Sequence, residues 1–320
     1  MPSMASIGVD AENPMHTSDA SSRREPLATD ASEETAQQQA DVVIEAIGFH
    51  RWTCALVFVM ALLIMADSVE ASLLSFLNAC VGAAFNLNRA EAASVVSIVF
   101  AGETVGALVA GPLSDKTGRK GISLASAFGV AVFGFGSAFA QSYAAFVTLR
   151  LLVGVFIGTF AVPFDLLAEQ LPASIRGRAL MWVQVGWSIG AMYCCAAAWV
   201  TLPIWSWRSL TLACAIPPMI IFLALVYFLD ESPRWFLEVG RRKDAAEVFR
   251  RIAVKNGRGD DPKVMEAIAE IERDDDDVAK EESSLQLFHD AWTQYKALWD
   301  AKRRCTTAAV WAVWFGFGLA

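Results

Sequence analysis

From about residue 50 the chain alternates between long apolar blocks and short polar links. Blocks at about 52–78, 92–112, 121–141, 144–168, 179–202 and 209–229 each exceed or approach the roughly 20 mostly apolar residues a helix needs to cross the hydrocarbon layer. The third, fifth and sixth contain no charged residue. The pattern predicts six membrane helices. Residues 1–45, rich in Ser, Ala, Glu, Asp and Gln and without an apolar period, predict a disordered cytoplasmic tail and not a signal peptide. Beyond the sixth block the period changes. Ala245, Val248, Phe249 and Ile252 recur at helical spacing, which predicts an amphipathic helix over Glu238 to Asn256 lying on the cytoplasmic membrane face. Further helices are expected near 261–272 and 284–299, separated by the acidic run Asp274 to Asp277, and Lys302, Arg303 and Arg304 flank a seventh span opening at Thr306. The chain thus divides into a tail (1–45), a six-helix transmembrane bundle (46–232), a cytoplasmic helical loop (233–301) and the start of a seventh span (302–320).

Charge sets the expected orientation. Lys116, Arg119, Lys120, Arg176, Arg178, Arg234, Arg241, Arg242 and Lys243 fall on one side of the bundle, and only Arg89 and Arg208 occupy links on the other. Cationic links stay in the cytoplasm, so both ends of the six-helix unit are expected there. The composition is 55% hydrophobic, and the net charge of -8 arises in the tail and the large loop. Neither points to nucleic acid. Of the six cysteines, Cys54, Cys194, Cys195 and Cys214 lie inside spans, Cys80 lies at a span end and Cys305 opens the last segment, which argues against a disulfide framework. His16, His50 and His289 are isolated, with no metal-ligand spacing. No nucleophile motif, phosphate-binding glycine loop or zinc cluster is present, so neither an enzyme nor a cofactor is expected.

The link from Gly111 to Lys120, Gly-Pro-Leu-Ser-Asp-Lys-Thr-Gly-Arg-Lys, predicts a tight turn between the second and third spans. Gly111 and Gly118 relieve crowding, Pro112 resists a helix interior, Asp115 precedes the next helix and Arg119 and Lys120 hold the link in the cytoplasm. This Gly-x3-Asp-x2-Gly-Arg-Lys spacing resembles the signature loop of the major facilitator superfamily. Arg150-x3-Gly154-x3-Gly158 resembles the Arg-Gly signature of its fourth helix. Glu169-x2-Pro172-x3-Arg176-Gly177 and Glu231-Ser-Pro-Arg-Trp resemble sugar-porter motifs. Met65-Ala-Asp67-Ser-Val-Glu70, Gly186-Trp187, Trp199 and Ser206-Trp207-Arg208 are similar to the synaptic vesicle glycoprotein 2 and vesicle-protein-related branch.

The resemblance implies an all-α membrane protein, the N-terminal six-helix bundle of the major facilitator fold, built as two inverted three-helix repeats. It implies a secondary transporter that moves a small organic solute by alternating access, with proton coupling as an option. A non-transporting vesicle receptor or regulator that keeps the fold is the alternative. The superfamily is built from two such halves, so the sequence reads as a truncated one, or as a half-sized chain that assembles with itself or another half. The expected setting is the plasma membrane or a vesicle membrane, with lipid as the surrounding partner.

Charges inside hydrocarbon are expensive and mark cavities or pairs. Asp67 and Glu70 share a face of the first span, Glu103 lies at similar depth in the second, and Arg150 lies in the fourth at a depth comparable to Glu70. Their functional reading is a cavity whose carboxylates bind a proton or a cationic substrate while Arg150 biases one of them. The alternative is a structural ion pair. Asp165 and Glu169, within reach of Arg119, Arg176 or Arg178, read as gate and scaffold residues together with Gly111, Asp115, Gly118, Lys120, Glu231 and Arg234. Gly102-x3-Gly106 and Gly154-x3-Gly158 predict close helix contact. Trp182, Trp187 and Trp199 read as interfacial anchors or cavity aromatics.

Overall fold

The computed structural model describes residues 28–273, 296, 299 and 303–319, and these contain no strand. After α1 (Ala28–Ile47) come α2 (Arg51–Ala84), α3 (Arg89–Thr117), α4 (Arg119–Ser137), α5 (Tyr143–Ile157), α6 (Ala161–Glu169), α7 (Ala173–Thr201) and α8 (Trp207–Phe228). By length and apolarity they supply six spans, with α5 and α6 forming one. The break between those two is a tightened turn, in which Phe160 N donates to Ile157 O at 2.9 Å and Val162 N to Thr159 O at 3.1 Å. Helix starts follow their capping chemistry. Asn88 Oδ1 accepts from Glu91 N and Glu91 Oε2 from Asn88 N, each at 2.9 Å, and Ser142 Oγ accepts from Ala145 N at 3.2 Å.

The dominant contacts pair α2 with α7, α3 with α5, and α4 with α8. Exchanging the first three spans for the last three turns the first pair into the second and leaves the third unchanged, which is the relation expected of two three-helix repeats. Small residues make the closest crossings. A Cβ on Gly102 or Gly106 of α3 would overlap the backbone of Leu151 or Val155 in α5, and one on Gly154 or Gly158 would overlap the Val99 or Glu103 carbonyl in return. Gly186 and Gly190 of α7 meet Ala61 and Met65 of α2 in the same way. Lipid tails are as apolar as the side chains, so backbone proximity and packing hold these helices together. Within the bundle one apolar cluster, from Leu56 to Leu229, fills the end with the basic links, and another, from Val69 to Cys214, fills the opposite end.

Three expectations are corrected here. Residues 28–45 of the expected tail are helical as part of α1, and Ala40, Val43, Ile44 and Ile47 are buried. Residues 1–27 lie outside the described set. The expected surface helix is α10 (Arg242–Lys255), and a further short helix, α9 (Pro233–Glu238), precedes it across Gly240 at φ 77°. The apolar stripe of α10 turns toward α1 and α11 (Pro262–Arg273), not toward lipid, because those helices carry matching apolar stripes. Burying the three β-branched side chains of α1 contributes on the order of 5–9 kcal/mol gross, at about 1.5–3 kcal/mol each. The third correction concerns the link after the second span. α3 runs through Pro112 to Thr117, and the turn is the single residue Gly118 at φ 92°. Nothing lies within 4 Å of a Cβ placed on Gly111, so crowding is not its role. The helix expected near 284–299 falls almost wholly outside the described residues, and α12 (Arg304–Leu319) occupies the expected seventh block.

Candidate functional site

The intramembrane charges gather where the two apolar clusters of the bundle meet. Arg150 of α5 donates through Nη1 to Glu70 Oε2 of α2 and through Nη2 to Ser137 Oγ of α4, both at 2.6 Å. The Arg150 side chain is fully buried and that of Glu70 is 3% exposed. Its guanidinium also lies 5.6 Å from the centre of the Phe146 ring. Helix spacing brings these groups together. Ser137 ends α4 just before the short link to α5, and Arg150 lies two turns inside α5. Glu70 Oε1 and Arg150 Nε are buried with no hydrogen-bonding partner among the described residues, as is Ser68 Oγ. A Cβ on Gly134 would stand 3.1 Å from Glu70 Oε1, so α4 leaves this oxygen room only for a hydrogen.

Asp67 is half-buried one turn before Glu70 and lies in the electrostatic neighbourhood of Glu103 and Glu70. Glu103, also half-buried, lies on α3 at the α5 crossing, where its carbonyl faces Gly158. Among the described residues no cation stands within ion-pair distance of Asp67 or Glu103, because Arg150 is held by Glu70. Sequence placed four charges at one depth. The fold divides them into a sealed pair and two carboxylates without a counterion.

At the end with the basic links, a second cluster ties the short connections together. Arg119 Nη2 meets Glu169 Oε1 at 3.0 Å, with Asp115 at 3.8 Å and Glu238 at 3.9 Å. Glu169 Oε2 accepts from Ser232 Oγ at 2.5 Å. Glu231, not Asp115, sits at the positive N-terminus of α4. Its Oε1 accepts from Arg119 N at 2.8 Å, Lys120 N at 3.0 Å and Ser232 N at 2.9 Å. Its other oxygen fills the space over Gly118 that a Cβ would take. Asp115 occupies the last turn of α3, mostly exposed, and contributes chiefly its carbonyl, which accepts from Trp235 Nε1 at 2.6 Å. Asp165 is exposed and feels both Arg119 and Asp115 without pairing.

Arg176 and Arg234 both donate to Asp41 Oδ1 of α1, Arg176 at 3.0 Å. Desolvation pulls the Arg234 guanidinium below its ordinary value, with Asp41 opposing this and Arg176 reinforcing it. Sequence reasoning missed Asp41, Glu238, Ser137 and Ser232. The apolar period at 40, 43, 44 and 47 was the available sign that Asp41 lies on a packed helix. The hydroxyls carry no such sign. Trp182, Trp187 and Trp199 are all exposed on the surface of the bundle. Cys194 and Cys214 are buried with their sulfurs 3.9 Å apart.

Comparison with known proteins fits this architecture. The family model described as sugar (and other) transporter matches residues 68–317. Synaptic vesicle glycoprotein 2B of Rattus norvegicus is 29% identical over 316 residues, covering 90% of this chain and 46% of the relative. Synaptic vesicle glycoprotein 2C of Homo sapiens is 35% identical over 252 residues, covering 73% of this chain and 34% of the relative. The chain therefore spans less than half the length of these curated relatives. Among solved structures, the inward-open xylose transporter XylE from E. coli superposes with a TM-score of 0.57 at 20% identity, over 69% of this chain and 56% of that one. The fold is that of the N-terminal six-helix half of a major facilitator protein, and the chain belongs to the sugar (and other) transporter family.

Proposed function

We propose that this chain forms one half of the pathway of a secondary active transporter for a small, sugar-like organic solute, with Asp67 as the proton- or cation-binding group. The observation that carries this reading is the division of charges described above. Glu70 takes Arg150 out of play, and Asp67 and Glu103 are left near one another with no cation within ion-pair distance among the described residues. Unpaired carboxylates at such depth belong to polar cavities, and their charge calls for a proton, a cation or water. Family membership supports a sugar-like solute, and the solved proton:xylose symporter XylE bound to 6-bromo-6-deoxy-D-glucose is a parallel for it. Alternating access then proceeds by rocking of this six-helix unit against a second one, with the cluster around Arg119, Glu169 and Glu231 as the gate at its end. By the positive-inside rule that end is cytoplasmic.

The test is uptake of a panel of labelled pentoses and hexoses into proteoliposomes under an imposed pH gradient, at matched protein content. Asp67→Asn is expected to remain folded and inserted yet lose the dependence on pH, because an amide cannot titrate, and Asp67→Glu is expected to keep it. An unchanged pH profile in the asparagine variant removes Asp67 from the mechanism. Gradient-independent inertness of the native protein toward the whole panel favours a receptor or regulator instead. Orientation is tested separately. A protease added outside right-side-out vesicles is expected to leave 233–301 uncut.

A further inference from the structure

We infer that α1 is a latch on the gate, and that Asp41 is the counterion by which it holds the start of α7 and the segment after α8 together. Arg176 lies in the first turn of α7 and Arg234 in α9, and these elements close the same end of the bundle from opposite sides of the chain. Both guanidiniums converge on one oxygen, Asp41 Oδ1. Their side chains are 28% and 11% exposed, so water screens them only partly. The rest of the gate does not replace Asp41. Glu169 also acts electrostatically on Arg234, but its oxygens are taken by Arg119 and Ser232, and Glu231 is held by the N-terminus of α4. Without Asp41, two partly buried like charges face one another across the seam between α7 and α9, and the favourable response is for that seam to widen.

The seating of α1 is built to be firm but separable. Ala40, Val43, Ile44 and Ile47 bury against α10 and α11, and Arg258 Nη2 reaches the Ala46 carbonyl near the C-terminus of α1 at 3.4 Å. All of these contacts lie outside the six spans, so α1 can leave without exposing backbone to lipid. Gly48, at φ 75°, separates α1 from α2 and provides the hinge. The consequence for gating rests on the transport reading above, whereas the seating of α1 does not.

Hydrogen exchange on the purified chain in lipid nanodiscs tests both levels. Asp41→Asn is expected to speed exchange at least about 10-fold in residues 37–47, as fits the loss of two charge-assisted bonds. It is also expected to speed exchange in 170–177 and 230–237. Adding Arg176→Gln to Asp41→Asn removes the repulsion and is expected to restore much of the protection at 230–237, a rescue that loss of packing alone would not give. Val43→Asp, which unseats α1 while leaving the Asp41 carboxylate in place, is expected to loosen the same two gate segments. Native exchange of α1 in Asp41→Asn overturns the role of Asp41. Release of α1 with unchanged exchange at 170–177 and 230–237, in both Asp41→Asn and Val43→Asp, overturns the latch. Neither outcome depends on finding a transported solute.

Discussion

Cutting the Arg150–Glu70 pair from either side should be far more damaging than deleting it whole. With N–O at 2.6 Å and the charge centres about 4 Å apart, the attraction is about 4 kcal/mol at the effective dielectric that suits protein sites. Against it stands a desolvation penalty of several kcal/mol for each ion, because one side chain is fully buried and the other 3% exposed. Burial of the two ions offsets or exceeds that attraction, so the intact pair adds little or nothing to net stability. Arg150→Met strands the Glu70 carboxylate and frees the Ser137 hydroxyl, and Glu70→Leu strands the guanidinium. Each should destabilise by about 3–5 kcal/mol. The double variant places two apolar side chains where two ions were, so its loss should be smaller than either single loss and far short of the roughly 6–10 kcal/mol that additivity demands. Equilibrium unfolding of the purified protein in mixed micelles of mild detergent and sodium dodecyl sulfate, followed by tryptophan fluorescence, gives all four corners of the cycle. A double variant as unstable as the sum of the singles would refute the pairing, and with it the claim that Arg150 is unavailable to Asp67.

Other perturbations separate positions that look alike in the sequence. Gly106→Val should cost about 1–3 kcal/mol or more and reduce monodisperse protein on size-exclusion chromatography, since its Cβ has only the Val155 backbone to enter, whereas Gly111→Val, with nothing within 4 Å, should leave the profile unchanged. Glu231→Ala should lower stability by about 1–2 kcal/mol in the same micelle titration through loss of its bonds to the first turn of α4, and Asp115→Ala, whose side chain is 58% exposed, by less than about 0.5 kcal/mol. The reverse order would return Asp115 to the structural role its motif suggests. Asn256→Ala removes the acceptor for Thr53 N and Thr53 Oγ1, each at 3.2 Å, and should cost about 1–3 kcal/mol, with faster amide exchange confined to the start of α2.

What the sequence determined by itself was everything that the bilayer reads one residue at a time. A span needs a minimum length and a low charge count, and both are properties of a contiguous stretch. The six blocks consequently match the six apolar helices to within a few residues, apart from the extension of α2 to Ala84, the extension of α3 to Thr117 and the earlier start of α7 at Ala173. Glycines at a spacing of four likewise announce a close crossing, because they lie on one face of a helix whatever its partner. Partner choice was decided only by the tertiary structure. Glu70 and Arg150 stand 80 residues apart, and nothing local distinguishes Glu70 from Asp67, one turn earlier on the same helix. The same holds at the end with the basic links. Asp115 and Glu231 are both acidic residues in short motifs, yet the α4 N-terminus falls beside Glu231 because α3 continues past Pro112 and turns only at Gly118. Asp41 is the clearest case. Its neighbours along the chain offer it no cation, and it becomes a counterion only when the apolar stripe of α1 finds α10 and α11 and sets the carboxylate between two arginines 135 and 193 residues away. Hydrophobicity along a chain is additive and local, whereas the pairing of charges depends on which helix faces meet.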